Sequence, residues 1–143
     1  MGAGVTALLL ALTLLVPFRP TWADRHLLWL VNHARTQAGL EVLEGSLVLD
    51  READRRAAYI ARHGIRHEIV GVGFAWDEVP ASYPWRMAGE VLGALNQPSA
   101  PWVLGMWMRS RTHQAVLLGS WRQAGAAQRT IGGETYFVVL FAR

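Results

Sequence analysis

The stretch "TYFVVLFA", Thr135 to Ala142, decides how the rest of the chain is read. β-Branched and aromatic residues fill it nearly throughout, the composition of a strand. It lacks the alternation of apolar and polar positions that a half-solvated strand shows, so burial on both faces is expected. Gly132 and Gly133 separate it from a second run, "RQAGAAQRTI". Two strand-like runs divided by a pair of glycines predict a β-hairpin.

Upstream of the hairpin the periodicity changes. "DRHLLWLVNHARTQAGL" sets Leu27, Leu30, Val31 and Ala34 at helical spacing, from a cap at Asp24 to a stop at Gly39. A first helix is expected over Arg25 to Ala38. "EVLEGSLVLD" reads as a connection, with Asp50 capping a second helix from Arg51 to His63 that ends at Gly64. Its apolar stripe is Ala53, Ala57, Ile60 and Ala61. From His67 to Arg86 the pattern breaks into a long loop, punctuated by Gly71, Gly73, Pro80 and Pro84 and rich in aromatics. "AGEVLGAL" fits a short helix or a strand, and a further helix is expected over Pro101 to Met108 behind a Ser99 cap. Early helices, an irregular middle and a terminal hairpin make an α+β protein, with helices packed on a small antiparallel sheet.

Composition excludes several kinds of function. With 143 residues the chain has the size of one domain. Cysteine is absent, which removes disulfides, thiolate metal sites and thiol chemistry. The net charge is +3 and all 14 basic residues are arginines scattered along the chain, so no stripe exists to track phosphates and nucleic acid is not an expected partner. "GVTALLLALTLLV" is apolar and uncharged, and small residues flank a cleavage point after Ala23. Residues 1–23 therefore read as a secretory signal peptide, since the run from Ala3 to Val16 is shorter than the roughly 20 residues a bilayer span needs. A membrane enters only through this segment, if it is kept.

Few residues can carry chemistry. His26 and His33 lie seven apart on the first helix without a matching carboxylate, and Gly64 ends the helix between His63 and His67. "HEIVG" lacks the second histidine of a zinc protease motif, and no nucleophile elbow surrounds Ser110. Asp77 and Glu78, adjacent in sequence, make a poor glycosidase pair with Glu90. His67, Glu90 and His113 remain: two imidazoles and a carboxylate form a donor set that a divalent ion accepts.

The order of segments resembles a known family. "LLWLVNHARTQAGL" is similar to the opening helix "LxxxNxxRxxxGL" of the CAP superfamily (cysteine-rich secretory proteins, antigen 5 and pathogenesis-related proteins, also called SCP-like). "LVLDREADRRAAYIARHG" resembles its second helix. "IRH" stands where that family has "FSH", "AGE" where it has "GEN", and "WMRSRTHQAVLL" where it has "WMNSPGHRxNIL". The closing strands correspond to Arg122–Gly125 and "TYFVVLFA". The likeness is to short, cysteine-free bacterial members and covers residues 24–143.

The resemblance implies a three-layer α/β/α sandwich and a central cleft in which two histidines and acidic residues can hold a divalent ion such as zinc. By motif, His67, Glu90 and His113 are the cleft residues, with His67 and His113 as metal ligands. The acidic position that the family places near Gly105 to Met108 has no carboxylate here, the Asn of "GEN" is Val91, and the Ser of "FSH" is Arg66. The expected function is an exported binding module rather than an enzyme, with a cleft and the aromatic segment Phe74 to Trp85 taking a small apolar, lipid-like or peptide ligand. The alternative is a metal-dependent hydrolase in which Glu90 acts as general base on metal-bound water.

Overall fold

The computed structural model describes residues 17–69 and 73–143. Most of the expected signal segment lies outside the described residues, as does Gly71. In chain order the elements are α1 (Trp22–Gln37), β1 (Glu44–Gly45), α2 (Leu47–His63), β2 (Glu68–Ile69), β3 (Gly73–Phe74), a 3-10 turn (Ala75–Asp77), β4 (Ala88–Leu95), α3 (Ala100–Arg109), α4 (Arg111–Leu117), β5 (Gln123–Ile131) and β6 (Glu134–Ala142). Among the described residues no helix is long and apolar enough to cross a membrane.

β6 lies inside a four-stranded sheet of order β1-β5-β6-β4. It pairs antiparallel with β5 on one side and β4 on the other, while the two residues of β1 run parallel to β5. Ile131 pairs with Glu134, so only Gly132 and Gly133 turn the chain. Their φ values of 61° and 82° are those of a type I′ turn, which glycine adopts without strain.

The two faces of β6 enter two different cores. Phe137, Val139 and Phe141 join Leu27 and Val31 of α1, Val103 and Trp107 of α3, and Leu117 of α4. Val138, Leu140 and Ala142 join Leu49, Ala53, Ala57 and Ile60 of α2. The molecule is therefore α+β in class and a three-layer α/β/α sandwich in architecture, with α1, α3 and α4 on one side of the sheet and α2 on the other. Trp107 fastens α3 to the sheet by donating its indole N–H to the Leu92 carbonyl at 2.8 Å. Gly125 fixes the position of α2, because a Cβ there would overlap the backbone of Leu49 and Asp50.

Helix starts differ from the sequence expectation. Both α1 and α2 begin earlier than expected, with Thr21 and Ser46 as their caps. Thr21 and Asp24 form a reciprocal capping box, so Ala23 sits inside the first turn of α1. The carboxylates expected to cap serve the sheet as well: Asp50 Oδ1 accepts from the N–H of Ala126 at 3.0 Å and Asp24 Oδ1 from that of Gln128 at 2.8 Å. Beyond Ala124, where β1 stops, β5 has no strand on its outer side, and these two buried carboxylates take the ladder's place.

"AGEVLGAL" is a strand, β4, and α3 exceeds its expected bounds by one residue at each end. The irregular middle contains the short β2–β3 hairpin and the 3-10 turn. Ser110 ends α3 and caps α4, which breaks "WMRSRTHQAVLL" into two helices.

Candidate functional site

Alternation along β4 decides where Glu90 goes. Gly89 faces Val116 and Trp121 on the α4 side, and a Cβ on it would meet both side chains within 3.2 Å. Glu90 therefore points to the other face, over α2. There it meets Arg56, a residue of the second helix. Arg56 lies three positions after Ala53 and four before Ile60, on the buried stripe of α2, and its side chain is only 1 % exposed.

The guanidinium grips the carboxylate with two nitrogens: Nε donates to Oε2 at 3.0 Å and Nη2 to Oε1 at 3.3 Å. Nη2 also donates to the carbonyl of Arg66, which ties down the chain just after Gly64 ends α2. The ring of Tyr59 lies 5.4 Å from the guanidinium carbon. Nη1 is buried without a hydrogen-bond partner. Arg56 thus joins α2, β4 and the segment leading to His67.

His67 reaches the same carboxylate from outside, with Nδ1 2.8 Å from Glu90 Oε1. Its side chain is 57 % exposed, against 7 % for that of Glu90. Three contacts thus fall on a carboxylate with about four acceptor positions, two of them from a cation.

His113 stands on an element of the opposite layer. It lies in the first turn of α4, half-buried, with Nδ1 2.7 Å from the hydroxyl of Ser110. Ser110 also lies 3.2 Å from the Thr112 hydroxyl, so the local sequence Ser-Arg-Thr-His forms its own polar knot. Arg66 and Arg111 are exposed. The structure therefore brings His67 and Glu90 together, while His113 is rooted across the edge strand from them. Among the described residues no three His, Cys, Asp or Glu side chains are grouped so as to hold a metal ion. With a guanidinium already on both oxygens of Glu90, the donor set as arranged does not fit a divalent cation.

Other candidates have structural partners. Asp77 Oδ2 accepts from the N–H of Phe74 at 2.7 Å and so closes a turn. Asn32 bonds both peptide groups of Leu43, donating to its carbonyl at 3.1 Å and accepting from its N–H at 2.7 Å. Arg35 is fully buried and donates to the carbonyls of Glu41, Leu117 and Gly119 at 2.8 to 3.1 Å. Its guanidinium lies at the C-terminal end of α4, where the helix dipole is negative, and burial lowers its pKa.

A second constellation lies at one end of the sheet. Two adjoining depressions of 400 and 580 Å³ share Pro84, Arg122 and Arg143. Trp121, Glu41 and Glu44 line the first, and Arg86 and Met87 the second. Arg143 donates to the hydroxyl of Ser120 at 3.0 Å. Among the described residues, none of the three arginines is ion-paired with an acidic side chain.

No protein-family model matches the sequence, and no curated protein is significantly similar to it. Solved structures do match. An outer surface protein of Borrelia burgdorferi superposes with a TM-score of 0.73 at 21% identity, covering 83% of this chain and 90% of that one. An extracellular protein containing an SCP domain, from Bacillus anthracis, gives 0.76 at 17% identity over 90% of this chain and 45% of that one. Venom allergen-like protein 4 of Schistosoma mansoni gives 0.66 at 11% identity, over 85% and 88% of the two chains. The chain has the CAP fold. The chain spans less than half of the Bacillus protein, and at these identities the likeness concerns the fold alone. Sequence comparison with the CAP pattern picks out Asn32, Arg35, His67, Glu90 and His113, but it passes over Arg56. The signal for Arg56 is a cation on the apolar stripe of α2, where burial requires hydrogen-bond or ionic partners.

Proposed function

We propose that this CAP domain is an exported binding module for a small amphipathic anion, a lipid-like molecule with an apolar body and a carboxylate or phosphate head. The single observation behind this reading is the depression at the end of the sheet. Arg86, Arg122 and Arg143 offer guanidinium forks suited to an anionic head, and Pro84, Met87 and Trp121 offer apolar surface for the body. Export rests on the uncharged apolar run at the start of the sequence. It is consistent with the extracellular and outer-surface descriptions of the Bacillus and Borrelia proteins.

A binding role also agrees with the state of Glu90, whose contacts are those of a structural anchor rather than of a base waiting for a proton. Titration with lauric acid and with lauryl alcohol, read by tryptophan emission, tests the proposal. The acid is expected to saturate and the alcohol to bind more weakly, and Arg86→Ala/Arg122→Ala should weaken the acid by about tenfold or more. Absence of a saturable response to the acid, or equal response of wild type and double variant, removes it.

A further inference from the structure

The outer face of α1 carries a ladder of four aromatic rings. Trp22, His26, Trp29 and His33 follow one another at spacings of four, three and four residues, which places them along one side of the helix. Successive ring centroids are 4.8, 6.1 and 5.3 Å apart with interplanar angles of 19°, 17° and 12°. The opposite side of α1 buries Leu27, Val31 and Arg35. The ladder is left to solvent, with Trp22 76% and Trp29 59% exposed. Two large indoles at this exposure on one helix face form an apolar stripe that no other described element covers.

The stacking restricts what can cover it. His26 and Trp29 each have both faces taken by neighbouring rings. A flat sugar needs an open aromatic face, which the inner rings His26 and Trp29 do not offer. What the ladder offers is a row of ring edges and indole N–H groups, apolar with a polar handle, the character of side chains that settle at the headgroup level of a bilayer. Arg25 lines the same depression as Trp22, His26 and Trp29, and Arg19 precedes the helix. Both add attraction to anionic lipids.

Position along the chain points the same way. The uncharged run Gly4–Val16 ends just before the described structure begins, and only residues 17–21 separate it from Trp22. Five residues reach at most about 18 Å even when extended. Pro17 and Phe18 shorten that reach further, because they line a cleft with Leu47 and Val48 of α2. Where residues 1–23 are retained, the apolar run keeps α1 near a lipid surface; cleavage after Ala23 would remove Trp22 and leave Trp29 as the exposed indole of this face.

We propose that the outer face of α1 rests on a lipid surface, with Trp22 and Trp29 at headgroup depth and Arg25 against anionic headgroups. This docking surface is separate from the arginine-lined depression and does not depend on what binds there. The test uses the full chain and vesicles of phosphatidylcholine and phosphatidylglycerol with acyl chains brominated just below the headgroup. Tryptophan emission is read for the wild type, Trp22→Ser/Trp29→Ser, and Trp102→Ser, which removes an exposed indole on α3. Quenching is expected to be alike in wild type and Trp102→Ser and to fall about twofold or more in the ladder variant, with an unchanged thermal midpoint. Equal quenching in all three proteins overturns the proposal. So does sedimentation, without vesicles, of a wild-type dimer that the ladder substitutions abolish, since the face then belongs to a second copy of the chain.

Discussion

Arg35 and Arg56 are equally buried, both 2 % exposed, but their charges are answered in opposite ways. Arg35, on α1, meets only carbonyl oxygens, two of them at the end of α4. Arg56, on α2, meets a carboxylate and leaves one nitrogen unpartnered. A cation held by dipoles leaves neutral groups behind when it is removed. A cation held by an anion leaves a buried charge. One layer of the sandwich is thus closed by a polar clasp, the other by an ion pair.

The largest expected effect follows from that difference. Arg56→Ala should lower unfolding free energy by about 3–5 kcal/mol in a urea titration, because Glu90 is then buried and uncompensated. The double variant Arg56→Met/Glu90→Gln should recover most of the loss. If it is as unstable as the single variant, the ion pair is not what matters there. Arg35→Ala should cost less, about 2–3 kcal/mol, for hydrogen bonds made by a charged donor. Arg35→Lys should restore only part of it, since one ammonium cannot match a fork that spans Glu41, Leu117 and Gly119.

Asp50 mirrors Arg35: a buried carboxylate answered by a peptide N–H. Burial raises its pKa, and the bond from Ala126 offsets this only in part. A carboxyl with a higher pKa in the folded than in the unfolded chain contributes stability that is complete below the unfolded value. That contribution is lost as pH rises through the folded value. At neutral pH the ionised group is therefore a cost. Asp50→Asn, which keeps an oxygen for Ala126, should be neutral to about 1 kcal/mol more stable than wild type at pH 7. The difference should shrink as pH falls toward about 4. A difference independent of pH would contradict the assignment.

The smallest effect is expected at His67, whose bond to Glu90 is open to solvent. His67→Ala should change stability by no more than about 0.5 kcal/mol. In the same protein, zinc should give the same small thermal shift for wild type, His67→Ala and His113→Ala. A shift present in the wild type and lost in either variant would show that these histidines hold a metal ion.

These contrasts also explain what could be read from the sequence. The two-sided burial of "TYFVVLFA" and the glycine turn before it were visible because composition and turn chemistry act locally. The starts of α1 and α2 were misplaced for a physical reason. An aspartate near a helix start resembles a cap, and only the fold shows Asp24 and Asp50 bonded to β5. The choice between helix and strand for "AGEVLGAL" depended on β6 being alongside. His67 and Glu90 could be paired through the order of motifs, whereas Arg56 pairs with a residue 34 positions away and belongs to no motif. The separation of His113 from that pair is a property of β4, whose two faces the sequence does not label.

The bond from Gln128 to Asp24 links residues 104 positions apart, and that from Arg35 to Leu117 links residues 82 apart. The bonds of α1 to Leu43 and Glu41 are local, whereas those to α4 and β5 span most of the chain, and β6, which pairs with both long strands, follows all of them. Until β6 emerges the sheet has no centre, because β4 and β5 pair only through it. Closing the sheet therefore waits on pairings of high sequence separation made by the last described strand.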